Sequence, residues 1–209
     1  MEQFQPNANN ILDVLYNKKP KYLPLYEHHI DIEFIEKFTG EELIGYRETE
    51  PEYFFKKVTE FWKNNTYDAF DFEAPICDVF PEHGAIMGGK LGPIQTRSDF
   101  ERYPFDEIPH LFWEANKPKL DAIRKVLPTG MKAYGGCGYG IFESAQDLVG
   151  YENLCIMQYI DPDLFRDLFL IRRIMVQNDT RIQRHLHFFP YGRRLGTPHI
   201  DHARTDNHH

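Results

Sequence analysis

Acidic, imidazole and tyrosine side chains gather at three points of the chain. The first group directly follows the apolar run YLPLY, the second lies within YDAFDFEAP, and the third lies in and just after a glycine-rich segment. Side chains of these types transfer protons in enzyme sites. The candidate catalytic residues are Glu27, His29, Asp71 and Glu73, and the candidate substrate-binding residues are His28, Tyr139, Glu143 and Gln146.

The first group, Glu27, His28 and His29, has two interpretations. A strand would point Glu27 and His29 to one side and His28 to the other. The pair on one side could then act as an acid/base couple or supply a metal ligand. Alternatively, one histidine is packed or hydrogen-bonded and the other is solvated. Because adjacent histidines are weak evidence by themselves, we assign no metal-binding residue from the sequence.

The second group places two carboxylates on one face of a strand. In YDAFDFEAP the side chains of Phe70 and Phe72 alternate with those of Asp71 and Glu73. Two carboxylates on one face repel each other unless a cation, a proton or a basic substrate lies between them. The alternative is that both are rim residues paired with neighbouring lysines and arginines.

The third group lies in and just after the glycine-rich run GGCGYGIFE, which contains Tyr139 and Glu143. This run resembles a dinucleotide-binding loop, but Ile141 occupies the position of the third glycine and the expected downstream acid is missing. We therefore interpret the run as a tight turn between a strand and a helix. Tyr139 and Glu143 are predicted substrate contacts, with helix capping as the alternative role of Glu143.

Apolar periodicity predicts the elements that hold these groups in place. Strands are predicted at residues 22–26, 67–75 and 131–135. Helices are predicted at residues 31–40, 51–64 and 110–126 and from Asp161 and Pro162 onward, and a capping box is predicted at residues 98–101. The alternation of strands and helices requires right-handed crossovers and a parallel sheet. The predicted fold class is α/β, a partial (β/α)8 barrel of about three βα units, with its site at the carboxyl ends of the strands.

Composition limits the classes of partner. The chain has 209 residues, a net charge of -8 and a pI near 5.7, which argue against nucleic acid and anionic membranes as partners. Neither a signal peptide nor a membrane span is recognisable, so we expect a cytoplasmic protein. The three cysteines form no CxxC pair and are predicted to be reduced thiols.

Two longer segments carry a family resemblance. These segments are LGPIQTRSDFERYPF and YGGCGYGIFESAQDLVGYENLCIMQYIDPDLFRDLF. In them and in the polar residues at the predicted strand ends, the chain resembles the uroporphyrinogen decarboxylase superfamily over about residues 8–178. The resemblance implies a (β/α)8 barrel with its site at the carboxyl ends of the strands. It also makes Asp71 or Glu73 the counterpart of the aspartate that holds pyrrole N–H groups, and places Gln146 where the family has a tyrosine.

The resemblance implies a carboxy-lyase that acts on a tetrapyrrole in porphyrin biosynthesis and needs no cofactor. The alternative within the superfamily is a cobalamin-dependent methyltransferase, which would use zinc and a corrinoid, the latter on a carrier protein in some versions. A homodimer is an expected assembly in either case. A third alternative is an inactive fragment, because a closed barrel needs roughly 250 residues.

The C-terminal part differs in composition from the rest of the chain. Residues 171–209 contain seven Arg, three Asp and six His, giving +4, whereas residues 1–170 carry -12. We therefore divide the chain into a barrel-like part, residues 1–178, and a basic tail, residues 179–209, that is predicted to be disordered. We hypothesise that the tail is read in a shifted frame, because a one-base shift of codons for a family-like continuation yields PYGRRLG.

Overall fold

The computed structural model describes residues 4–136 and 140–175, and within them the fold is mixed α/β and mostly helical. Its two strands are β1 (Ala69–Asp71) and β2 (Lys132–Tyr134). The helices are α1 (Asn9–Leu15), α2 (Ile32–Thr39), α3 (Tyr46–Thr49), α4 (Pro51–Asn64), α5 (Arg97–Arg102), α6 (Ile108–Val126), α7 (Ile141–Val149), α8 (Tyr151–Ile160) and α9 (Pro162–Met175). Short 3-10 helices lie at Ile76–Val79 and Ala85–Met87.

The two strands form a parallel pair, which confirms the predicted α/β class and the parallel direction. Ala69 lies opposite Lys132, and Asp71 lies opposite Tyr134. Pairing continues past the strands, because the amide of Phe72 donates to the carbonyl of Tyr134 at 2.8 Å. Helices α5 and α6 lie in the connection from β1 to β2, as a parallel crossover requires.

The first predicted strand, residues 22–26, is wrong. Within the described part of the chain this segment is not a strand, and the sheet contains β1 and β2 alone. Pro24 lies at the centre of YLPLY and has no amide hydrogen to donate to a ladder, which explains the failure. The side chain of Leu23 is 83% exposed, so the apolar run is not a buried strand either. The predicted number of three βα units is thus not reached within the described residues.

Most predicted helices are present, with one shift at a helix start. Helix α4 has the predicted bounds, and the prediction that Asp161 caps the last helix is confirmed by a 2.9 Å bond from the Leu164 amide to its side chain. The predicted capping box at residues 98–101 is wrong by two residues. The observed box joins Thr96 and Asp99, which have the same spacing and stand directly before α5.

The core lies between the sheet and the helices that flank it. Helix α4 packs against α6 and β1, and the ring of Trp62 lies 5.7 Å from that of Phe70 in β1. Buried aromatic rings from α4 thus cover β1 and stabilise the strand from one side. The largest fully buried apolar side chains are Phe55, Phe80, Ile35, Leu43, Ile94, Ile108, Leu154, Leu164 and Val149.

None of the helices in the described ranges is long and apolar enough to cross a membrane. Tyr139 and the predicted basic tail lie outside the described residues.

Candidate functional site

The candidate site lies where β1 and β2 end. Parallel strands bring their carboxyl ends to the same edge, so Asp71 and Tyr134 are neighbours there. The backbone is tight at this point, because Gly135 has φ +144° and a Cβ there would lie 2.0 Å from the carbonyl oxygen of Phe72. Only glycine at this position lets the segments after β1 and β2 stay paired as they leave the sheet.

Asp71 is the most unusual titratable group at this edge. The residue is 9% exposed, and its Oδ1 atom has no hydrogen-bond partner within the described structure. Burial, and after it the negative charge of Glu73, raise its pKa to about 7, with His28 acting in the opposite direction. Asp71 can therefore hold a proton near neutral pH and release it with little change of pH.

Glu73 and His28 form the outer part of the cluster. The Nε2 atom of His28 lies 3.8 Å from Oε1 of Glu73, and both side chains are partly exposed to solvent. The hydroxyl of Tyr26 lies 3.5 Å from Nδ1 of His28. An exposed pair of this kind adds little stability. It does place an imidazole and a second carboxylate beside Asp71, where they can exchange protons with solvent.

Tyr134 joins the end of β2 to the segment that carries Glu27 and His28. Its hydroxyl donates to the backbone carbonyl of Glu27, and its ring stacks on that of Tyr26 with centroids 5.3 Å apart. Burial, together with the charge of Asp71, raises the pKa of Tyr134 well above its usual range. The hydroxyl therefore stays protonated and acts as a hydrogen-bond donor.

The structure brings the side chains of three of the eight predicted site residues together, His28, Asp71 and Glu73, and Glu27 joins them through its backbone carbonyl, which accepts from Tyr134. His29 instead pairs with Asp31 at 3.2 Å. Glu143 and Gln146 lie on α7, and the carboxylate of Glu143 is close to the backbone of Gly140 at the start of that helix. No contact within the described structure joins Glu143 or Gln146 to the cluster, and Tyr139 is outside the described residues.

Two residues of the site were missed from the sequence. Tyr26 was assigned to a strand, and Tyr134 was counted among the polar residues at the end of another strand without a role of its own. The signal available for Tyr134 was its position: it ends a strand directly before a glycine, where a side chain in a parallel sheet reaches the functional edge.

The donor set does not form a recognisable metal centre. Across residues 4–136 and 140–175, His, Cys, Asp and Glu side chains form no group of three or more that could hold a metal ion. Comparison with protein-family models, curated proteins and solved structures finds no match to this chain.

Proposed function

We propose that the chain supplies the first part of a (β/α)8 barrel of the uroporphyrinogen decarboxylase type, and that the cluster at the strand ends decarboxylates a tetrapyrrole. One observation carries the proposal: Asp71 is a buried carboxyl with an unpartnered oxygen at the carboxyl end of a parallel strand, beside Glu73 and His28. That is the edge at which barrels of parallel strands place their active sites.

A buried carboxyl that is protonated near neutral pH suits the chemistry of decarboxylation. When the bond between a substrate carbon and its carboxylate breaks, CO2 leaves and the electron pair stays on the carbon. A proton must then reach that carbon, and Asp71, with its pKa near 7, can donate it. The carboxylate left on Asp71 recovers a proton from solvent, on the side where His28 and Glu73 are exposed. Atoms and charges balance without a cofactor.

The unpartnered Oδ1 atom of Asp71 also indicates how a tetrapyrrole would bind. A buried oxygen without a donor costs free energy, and a ligand N–H group that reaches it recovers that cost. The pyrrole rings of a porphyrinogen carry N–H groups, and their faces can pack on the stacked rings of Tyr26 and Tyr134.

The acidic setting supports a second candidate function. The charged groups that act on Asp71 are Glu73 and His28, and a negative carboxylate nearby disfavours a substrate with many carboxylates. A corrinoid-dependent methyltransferase of the same superfamily does not have to bind a substrate with many carboxylates. It would need a corrinoid, which a carrier protein could present, and zinc. The described residues do not fit zinc, so we derive no step through the metal.

Activity and binding assays on the 209-residue chain test the proposal. We expect a porphyrinogen to be decarboxylated by the wild type, and the rate to fall by about 100-fold or more in Asp71→Asn because the proton donor is lost. Porphyrin binding, followed by fluorescence, should change less than about threefold, because asparagine keeps an oxygen acceptor for N–H groups.

The matched control is Asp78→Asn, which removes an exposed carboxylate from the 3-10 helix that follows β1 and should leave rate and binding unchanged. Binding of cobalamin without binding of porphyrin would favour the methyltransferase. Absence of both kinds of binding would contradict both enzyme functions and leave the alternative of an inactive fragment.

A further inference from the structure

The segment that carries Glu27 and His28 raises a structural question. In the described parts of the chain, residues 19–30 make no backbone–backbone hydrogen bond, so no ladder holds them beside the sheet. None of these residues is fully buried: Leu23 is 83% exposed and Tyr26 is 64% exposed, and Ile30 packs against the core only partly buried. Something else must keep His28 within 3.8 Å of Glu73.

At its start, the segment is fixed to the beginning of β1. The hydroxyl of Tyr22 donates to Oδ1 of Asp68 at 2.7 Å, and the amide of Lys21 donates to the side chain of Asn10 at 3.2 Å. Asn10 in turn donates to Oδ2 of Asp68 at 3.1 Å. Asp68 is fully buried, so these bonds form at a fixed point of the core.

At its end, the segment is fixed to the last residue of β2. The Tyr134 hydroxyl donates to the Glu27 carbonyl, and the Tyr26 ring stacks on the Tyr134 ring at an interplanar angle of 28°. The contacts at Asp68 and at Tyr134 lie at opposite ends of the sheet. The segment therefore runs past the sheet in the direction of its strands, as the predicted strand would, but with side-chain contacts in place of a ladder.

We propose that residues 22–28 form a strap, held at both ends by tyrosine hydroxyls, that positions Glu27 and His28 against Asp71 and Glu73. Tyr22 and Asp68 are then positioning residues of the site, although they lie at the opposite end of the sheet. The proposal rests on the proposed function for its catalytic meaning, but its structural content does not require a substrate.

Removal of one anchor tests the strap without a ligand. The variant Tyr22→Phe deletes the hydroxyl that bonds to Asp68 and touches no group of the site. NMR of the full chain would follow the titration of the Asp71 carboxyl and the ring resonances of His28. We expect the pKa of Asp71 to move by about half a pH unit or more, because His28 and burial both act on it. The His28 resonances should move as well.

The matched control is Tyr103→Phe, which removes a hydroxyl that donates to the Pro81 carbonyl at 3.0 Å, outside the cluster. If Tyr22→Phe leaves both readouts unchanged, or if Tyr103→Phe moves them equally, the strap is overturned. Should Tyr22→Phe fail to fold, Tyr134→Phe tests the other anchor by the same His28 readout. Because no ligand is used, failure of the strap is distinguishable from failure of the proposed function, which the binding assays decide.

Discussion

Asp68 and Asp71, at the two ends of one strand segment, differ in the hydrogen bonds that their buried carboxyl groups accept. Asp68, just before β1, is fully buried, and its carboxylate accepts from the Asn7 amide, the Tyr22 hydroxyl and the Asn10 side chain. Asp71, at the end of β1, is almost as buried, but its Oδ1 atom has no partner in the described structure.

The difference separates a structural carboxylate from one available for chemistry. A buried charge is tolerated when several donors satisfy it, and three donors satisfy Asp68. An unsatisfied buried oxygen costs free energy, which Asp71 reduces by holding a proton. The start of the strand therefore stabilises the fold, whereas its end keeps a group that stabilises the fold poorly and is ready to react.

The largest expected effect is at the satisfied aspartate. Asp68→Ala removes the acceptor of three buried donors, and we expect the free energy of unfolding to fall by about 4 kcal/mol. Urea denaturation followed by circular dichroism would measure the loss. Asp78→Ala, at an exposed aspartate, should change it by less than about 0.5 kcal/mol. Equal effects of the two substitutions would remove the contrast between Asp68 and Asp71.

The second prediction concerns the pH dependence of stability, because ionisation of Asp71 should lower the free energy of unfolding. Its pKa is about 7 in the folded chain, compared with an ordinary value of 3.8, so between these values the folded state holds a proton that the unfolded state releases. The free energy of unfolding then decreases as pH rises, by at most about 4 kcal/mol from this group.

Denaturation at several pH values between 4 and 8 would test this dependence. We expect the Asp71→Asn variant to lose most of the decrease and to be more stable than the wild type above pH 7. The comparison isolates Asp71 because Glu73, His28 and Tyr134, which surround it, are unchanged. Parallel pH curves for wild type and variant would contradict the prediction.

A smaller effect is expected at Tyr22, whose hydroxyl bonds to Asp68. The variant Tyr22→Phe should lower the free energy of unfolding by about 1.5 kcal/mol, because a hydrogen bond to a charged group is lost. Burial and the charge of Asp68 raise the pKa of Tyr22 to about 12. Spectrophotometric titration should therefore show one tyrosine fewer that ionises late in the variant. If the variant instead loses a tyrosine that ionises near the ordinary pKa value of 10.0, Tyr22 does not sense the Asp68 charge.

The sequence predicted the end of the sheet that carries Asp71 better than the end that carries Asp68. Apolar alternation located β1, the glycine- and proline-containing segments that bound MKAYG located β2, and helix periodicity and cap residues located α4 and the start of α9. Asp71 and Glu73 could be predicted because a strand alternates its side chains and two carboxylates on one face must interact.

The surroundings of Asp68 could not be predicted, because they depend on contacts between distant parts of the chain. Asp68 meets Asn7 and Tyr22 from far along the sequence, and no local pattern shows that three donors converge there. The segment YLPLY was mistaken for a strand because its apolar residues outweighed Pro24, which cannot donate to a ladder. Tyr134 was missed for the same reason as Asp68, since its partner Glu27 is distant in sequence.

The smallest expected effect on stability is at His28, and it separates stability from chemistry at Asp71. His28→Gln removes an exposed partner of Glu73, so the free energy of unfolding should change by less than about 0.5 kcal/mol. The imidazole nevertheless lowers the pKa of Asp71, and its removal should therefore raise that pKa above its value of about 7. Carboxyl NMR titration of the two proteins would measure the change, with His110→Gln, which breaks an exposed pair with Glu114 on α6, as the matched control. A pKa that falls in His28→Gln would mean that the histidine acts on Asp71 by excluding water rather than by its charge.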